Sequence, residues 1–172
     1  ESIELKEEPK VTFDEPLYSG DPQNVEPFIK EPIKYNEPEK WRFMKLDYQR
    51  RNELLQHPEL KLPNAENAMA ADAKFEKYLF GGSHPEGLAK GNAFSSRLGY
   101  DAENWNSLKK QIIARAPQYP ALSKGVNGYG KHMYEQKIVL YGLKGTPANV
   151  VVGWSADDKS VTMASAYIKE VK

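Results

Sequence analysis

The chain has 172 residues, a formal net charge of zero and no cysteine. Its mean hydropathy is −0.71, and no apolar run approaches the ~18 residues of a membrane span. These values exclude disulfides and thiolate metal sites, and predict one ordinary domain preceded by an arm. The charge is unevenly divided: residues 1–40 hold 11 acidic and 5 basic side chains, and residues 41–172 hold 13 and 19. A basic segment of this kind suits either nucleic acid or a solvated lysine-rich surface. The chain begins at Glu1 without a signal-peptide pattern, and is read as a piece of something longer.

Residues 1–40 carry six of the twelve prolines, alternating with acidic residues in "VEPFIKEPIKYNEPEK". Proline removes a backbone donor and disfavours helix in the residue before it. The segment therefore reads as an extended acidic arm or linker. Its Phe13, Tyr18, Phe28, Ile29, Ile33 and Tyr35 supply apolar points for docking. A connecting segment, 41–61, follows. Its first part, "WRFMKLDYQRRNELLQ", puts Trp41, Met44, Tyr48 and Leu55 at helical spacing before Pro58.

The main domain is expected over 62–172. A helix is predicted over 70–80, ended by Gly81 and Gly82. Another is predicted over 86–98, with Phe94 and Leu98 inward and Gly99 as its stop. Lys90 lies one turn back on the same line, where an apolar residue would be expected. Asp101 can cap a helix over 102–115 that places Trp105, Leu108 and Ile112 on one face. The texture then changes to strands at 128–142, 149–156 and 159–171, joined by "LKGTP" and "ADDK". The predicted fold is α+β, with N-terminal helices packed on a C-terminal antiparallel sheet.

The histidines are His57, His84 and His132. His57, in the helix-ending "QHP", reads as a surface residue. The other two are candidate acids or bases near neutral pH. Their spacing does not match the usual zinc ligand sets, and the glycines of "GYG" and "GLKG" do not open a phosphate-cradling helix. The serine elbow of α/β hydrolases is missing. In the last strand, strict alternation puts Val161, Met163, Ser165 and Tyr167 on one face, and Thr162, Ala164, Ala166 and Ile168 on a small apolar one. Trp154 lies on the neighbouring strand. A groove floored by Trp154, Ser165 and Tyr167, with a lysine and a histidine reaching in, suits RNA. The lysine would stabilise phosphorane charge, the histidine would move a proton, and the aromatic would stack a base. The same residues also fit an ordinary sheet with a polar outer face.

The segments "LPNAENAM", "KFEKYLF", "HPEGLAKGNAFSSRLGY", "NWNSLKKQI", "YGKHMY" and "VGWS…ASAY" occur in this order over 62–168. In that order they resemble a bacterial domain of unknown function found at the C-termini of polymorphic toxins and of some phage head proteins. Such domains are similar to the barnase, EndoU, colicin and RelE ribonuclease toxins. The resemblance implies metal-independent cleavage of RNA, with tRNA or another RNA as substrate, and no cofactor. It also implies delivery from a larger secreted parent protein into the cytoplasm of a neighbouring cell, and neutralisation by a cognate immunity protein. By position it makes His84, Lys90, His132, Ser165 and Tyr167 catalytic candidates, and Lys131, Trp154 and Thr162 RNA-binding ones. His132 or His84 would be the base, and Lys90 or Lys131 the charge stabiliser. Ile168 stands where the pattern has proline.

These readings predict that lysine, imidazole and hydroxyls share one pocket between helix and sheet. The acidic arm is a linker, or covers the basic groove before delivery. Two other functions fit the sequence: a non-enzymatic phage or secretion-apparatus binding module, and a metal-dependent nuclease.

Overall fold

A computed structural model of the protein describes residues 37–143 and 146–171. The proline-rich arm lies outside these residues except for its last four, and the expected docking of its aromatic side chains lies outside them as well. The described part is α+β, as the order of helical and strand patterns predicts. Helix α1 spans Glu37–Gln56, α2 Pro85–Leu98 and α3 Trp105–Arg115. The helix expected over 70–80 is instead a short stretch ending in one π-helical turn, Phe75–Leu79, closed by Phe80 N–H donating to Phe75 O at 2.8 Å.

Five strands form one sheet: β1 (Ala68–Met69), β2 (Ala121–Val126), β3 (His132–Leu140), β4 (Ala148–Ala156) and β5 (Val161–Ile168). Their spatial order is β1-β5-β4-β3-β2. The β2–β5 pairings are antiparallel, as expected, but β1 adds a two-residue parallel edge beside β5, so the sheet is mixed.

Paired residues share a face. Tyr134, Trp154 and Met163 therefore align, as do Gln136, Val152 and Ala166, and then Ile138, Val150 and Ile168. This face joins Phe75, Leu79, Phe94, Leu98, Leu108 and Ile112 in the core. Each large side chain so buried contributes about 2–3 kcal/mol. No helix among the described residues is long and apolar enough to cross a membrane.

The structure corrects the strict alternation assigned to β5. The register slips between Gly153 and Trp154, where Gly153 pairs with Ser165 but Trp154 pairs with Met163. Ala164 is the extra residue, a bulge that switches every later side chain to the other face. Val161, Met163, Ala166 and Ile168 consequently turn inward, while Thr162, Ser165 and Tyr167 share the opposite face.

Helix α1 is also more than a connector. Phe43, Asp47 and Arg51 are buried within the fold, and Leu54 is buried where Leu55 was expected; Leu55 is 41% exposed.

Candidate functional site

The His84-Pro85 pair starts α2 through familiar chemistry. Pro85 supplies a fixed φ where no donor is needed, and His84 Nδ1 accepts from Gly87 N–H at 3.4 Å. Gly99, at φ 86°, ends the helix in the left-handed region. The buried line of α2 runs Leu98, Phe94, Gly91, Gly87. It thus continues through glycines beside Lys90 and not through Lys90 itself. Those glycines bring the helix backbone onto Tyr78 and Leu79.

Lys90 is left at the rim of the line, where its ammonium lies 5.7 Å from the Tyr78 ring centroid and 5.5 Å from that of Tyr167. Glu86 Oε1 stands 3.6 Å away, and the Tyr78 and His84 rings are 5.3 Å apart. The structure therefore does gather Lys90, His84 and Tyr167. The adjoining cavity, lined by Lys74, Tyr78 and Ser165 among others, measures only about 10 Å³. That is room for no more than a water molecule. The cation is satisfied by a carboxylate and two aromatic faces, and the cluster clamps α2 to β5. Lys90→Ala is expected to cost about 1 kcal/mol in urea unfolding; an unchanged midpoint would show that the clamp contributes nothing.

Trp154, expected to stack a base, is fully buried, and its indole N–H donates to Gln136 Oε1 at 3.1 Å. Alternation in "NVVVGWSA" allowed either face, but the register puts it in the core. It is unavailable to a ligand. Thr162 pairs with Ser155, on the face of the sheet opposite His132 and Tyr134.

His132 and Lys131 occupy a separate place. The 127–131 turn is built by Asn127, whose side-chain oxygen accepts from Tyr129 N–H at 2.9 Å and Lys131 N–H at 3.0 Å. Gly130, at φ 77°, supplies the left-handed residue this turn requires. The turn leaves Tyr129 92% exposed. Directly after it His132 enters β3, its ring stacked on Tyr134 at 4.5 Å with 22° between the planes. A shift in register between Ser123 and Val126 carries Ser123 Oγ to 2.6 Å from His132 Nε2.

The far wall is the 157–160 turn. Asp157 Oδ1 accepts from Lys159 N–H at 2.9 Å and Ser160 N–H at 2.8 Å. These backbone donors, helped by the Ser160 hydroxyl and Lys131, hold the Asp157 carboxyl below its ordinary range. Between the walls lies an open cleft of about 450 Å³, lined by Tyr129, Lys131, His132, Tyr134, Asp157 and Asp158 together with Pro63, Gly130 and Ala156.

The single pocket expected from the sequence is therefore two places. His84 and Lys90 gather about Tyr78 with Tyr167 at the packed clamp, and Ser165 lines the small cavity beside it; His132 and Lys131 line the open cleft, which none of those four residues lines. Sequence reasoning missed Ser123, Tyr129, Tyr134, Asp157 and Asp158. The "NGYGK" turn was the available signal, since its Asn and Gly fix how the following residues are presented.

No curated protein and no solved structure matches the chain. Residues 61–170 match a family described as Domain of unknown function (DUF6883). Since that match takes in β1–β5, α2, α3 and the cleft, the chain belongs to the DUF6883 family.

Proposed function

We propose that the domain cleaves RNA without a metal ion, as the toxin portion of a larger secreted bacterial protein that a cognate immunity protein neutralises. One observation carries this reading: an imidazole held by a hydroxyl, a lysine and an exposed phenol converge on one open cleft. In this reading His132 takes the proton of a ribose 2′-hydroxyl. That oxygen attacks the adjacent phosphorus, the bond to the 5′-oxygen breaks, and the departing oxygen takes a proton from water. The products are a 2′,3′-cyclic phosphate and a 5′-hydroxyl. Lys131 stabilises the charge gathering on the phosphorane oxygens, and Tyr129 stacks the neighbouring base. Ser123 fixes the imidazole orientation. Lys90 and Tyr167 hold α2 against β5. The excess of basic side chains over residues 41–172 favours a polyanionic substrate.

The full chain is expected to cut single-stranded RNA in EDTA, leaving cyclic phosphate ends, and to arrest growth when produced inside bacteria. Cutting that EDTA abolishes would point to a metal-dependent nuclease. Intact RNA together with normal growth would favour the second reading, a binding module. That reading rests on Leu122 and Val126, 60% and 67% exposed on the edge strand β2.

A further inference from the structure

A second open cavity, of about 240 Å³, lies between α1 and the β2–β3 edge of the sheet, and shares no residue with the cleft or the clamp. Arg50 and Glu53, one helical turn apart, line it from the same face of α1. Glu135 and Lys137, alternate residues of β3, line it from one face of the sheet, and the register sets Leu122 of β2 beside Glu135. The Lys61–Pro120 bridge ties the Pro58–Leu60 turn to the start of β2, which brings Leu60 to the cavity. Each wall thus carries one cation and one carboxylate, beside the apolar surface of Leu60 and Leu122.

None of these four charged side chains makes an ion pair or a side-chain hydrogen bond among the described residues. Arg50 is half-buried, and its Nη1 is out of water without an acceptor. Burial pulls its guanidinium below the ordinary range, against Tyr119, Asp47 and Glu53. Leu122 is 60% exposed. A plain anion entering the cavity would satisfy Arg50 and Lys137 but face Glu53 and Glu135; a plain cation would meet the reverse. A molecule carrying both signs close together, on an apolar body, avoids either repulsion. The volume is below the roughly 300–1,000 Å³ of sites for drug-sized ligands, so the guest is small.

We propose that this cavity binds a small zwitterion with an apolar side chain, of the class of free leucine or phenylalanine. Its carboxylate meets Arg50 and Lys137, its ammonium meets Glu53 and Glu135, and its side chain covers Leu60 and Leu122. The inference is independent of the ribonuclease reading.

The test is a titration of the isotope-labelled full chain with L-leucine, followed by amide NMR shifts. Saturable shifts are expected at Leu122, Glu135 and Lys137, with a Kd of about 1–10 mM, the range open to a ligand of roughly nine heavy atoms. N-acetyl-leucine lacks the ammonium and leucinamide the carboxylate, and each is expected to bind at least about 10-fold more weakly. Arg50→Gln is expected to weaken L-leucine by about 10-fold and to leave the leucinamide shifts as they are. Lys137→Gln, at an exposed position of β3, tests the same carboxylate contact without disturbing the packing of α1. Parental affinity for L-leucine in both variants would overturn the proposal. So would equal binding of the three compounds, or no saturable shift at these amides up to about 50 mM.

Discussion

Replacing His132 with alanine is expected to lower the rate of RNA cleavage in EDTA by about 10²–10⁴-fold, the usual worth of a positioned general base. The expectation rests on where this imidazole stands. It lines the 450 Å³ cleft, one ring nitrogen is tied to Ser123 at 2.6 Å, and its face is held by Tyr134. His84 also has a tied ring nitrogen, in capping α2, and a ring neighbour in Tyr78, but it does not line that cleft. His84→Ala and Lys90→Ala are therefore expected to change the rate by less than about 10-fold, through stability and not through proton transfer. Initial rates on a defined single-stranded RNA would decide. Equal losses for His132→Ala and His84→Ala, at matched folded fractions, would remove the cleft from the chemistry. Ser123→Ala gives a finer check: if the hydroxyl only orients the imidazole, its loss lowers kcat and leaves KM near the parental value.

Much of the fold was legible because periodicity and turn chemistry agree. Helix α2 could be read from Phe94, Leu98 and Gly99, and the strands β3–β5 from apolar runs bounded by turn residues. The structure bears out their existence and, within a few positions, their ends. Strand β2 was missed because "ALSKGV" buries only Ala121 and carries its polar side chains in the open. An edge strand needs no apolar face, so it sends no periodic signal. The bulge at Ala164 has the opposite effect. It leaves the signal intact but moves its phase, so Ser165 and Tyr167 were placed on the same side as Val161 and Met163. Small residues in "TMASA" permit the bulge without announcing it.

The site was partly legible for a related reason. Residue types suggested lysine, histidine, serine and tyrosine, but types do not specify which of them keep open space around them. Buried polar pairing was not legible at all. Asp47 reads as one more charge on a charged helix, because its partners Tyr119 and Tyr141 lie 72 and 94 residues further along the chain.

The same distinction between residue type and space gives the second large effect. Gly91→Ala is expected to destabilise the protein by about 3 kcal/mol or more, at the upper end for overpacked cores. A methyl group built at Gly91 would stand 1.6 Å from the Leu79 carbonyl oxygen, and 2.5 Å from its carbon. Its obstacle is backbone, so no rotamer change relieves it. Either α2 lifts from the π-helical turn, or that turn opens and gives up the Phe75–Phe80 hydrogen bond. Alanine is the better helix former by about 1 kcal/mol, so a glycine kept only for flexibility would give the opposite sign. Gly128→Ala is the control, because nothing lies within 4 Å of its added methyl. Thermal unfolding should show Gly91→Ala melting about 10 °C below the parent, with Gly128→Ala unchanged. A Gly91→Ala protein at or above the parental Tm would mean that α2 does not lie on Leu79 as described. The Lys90 clamp, which depends on that approach, would have to be abandoned with it.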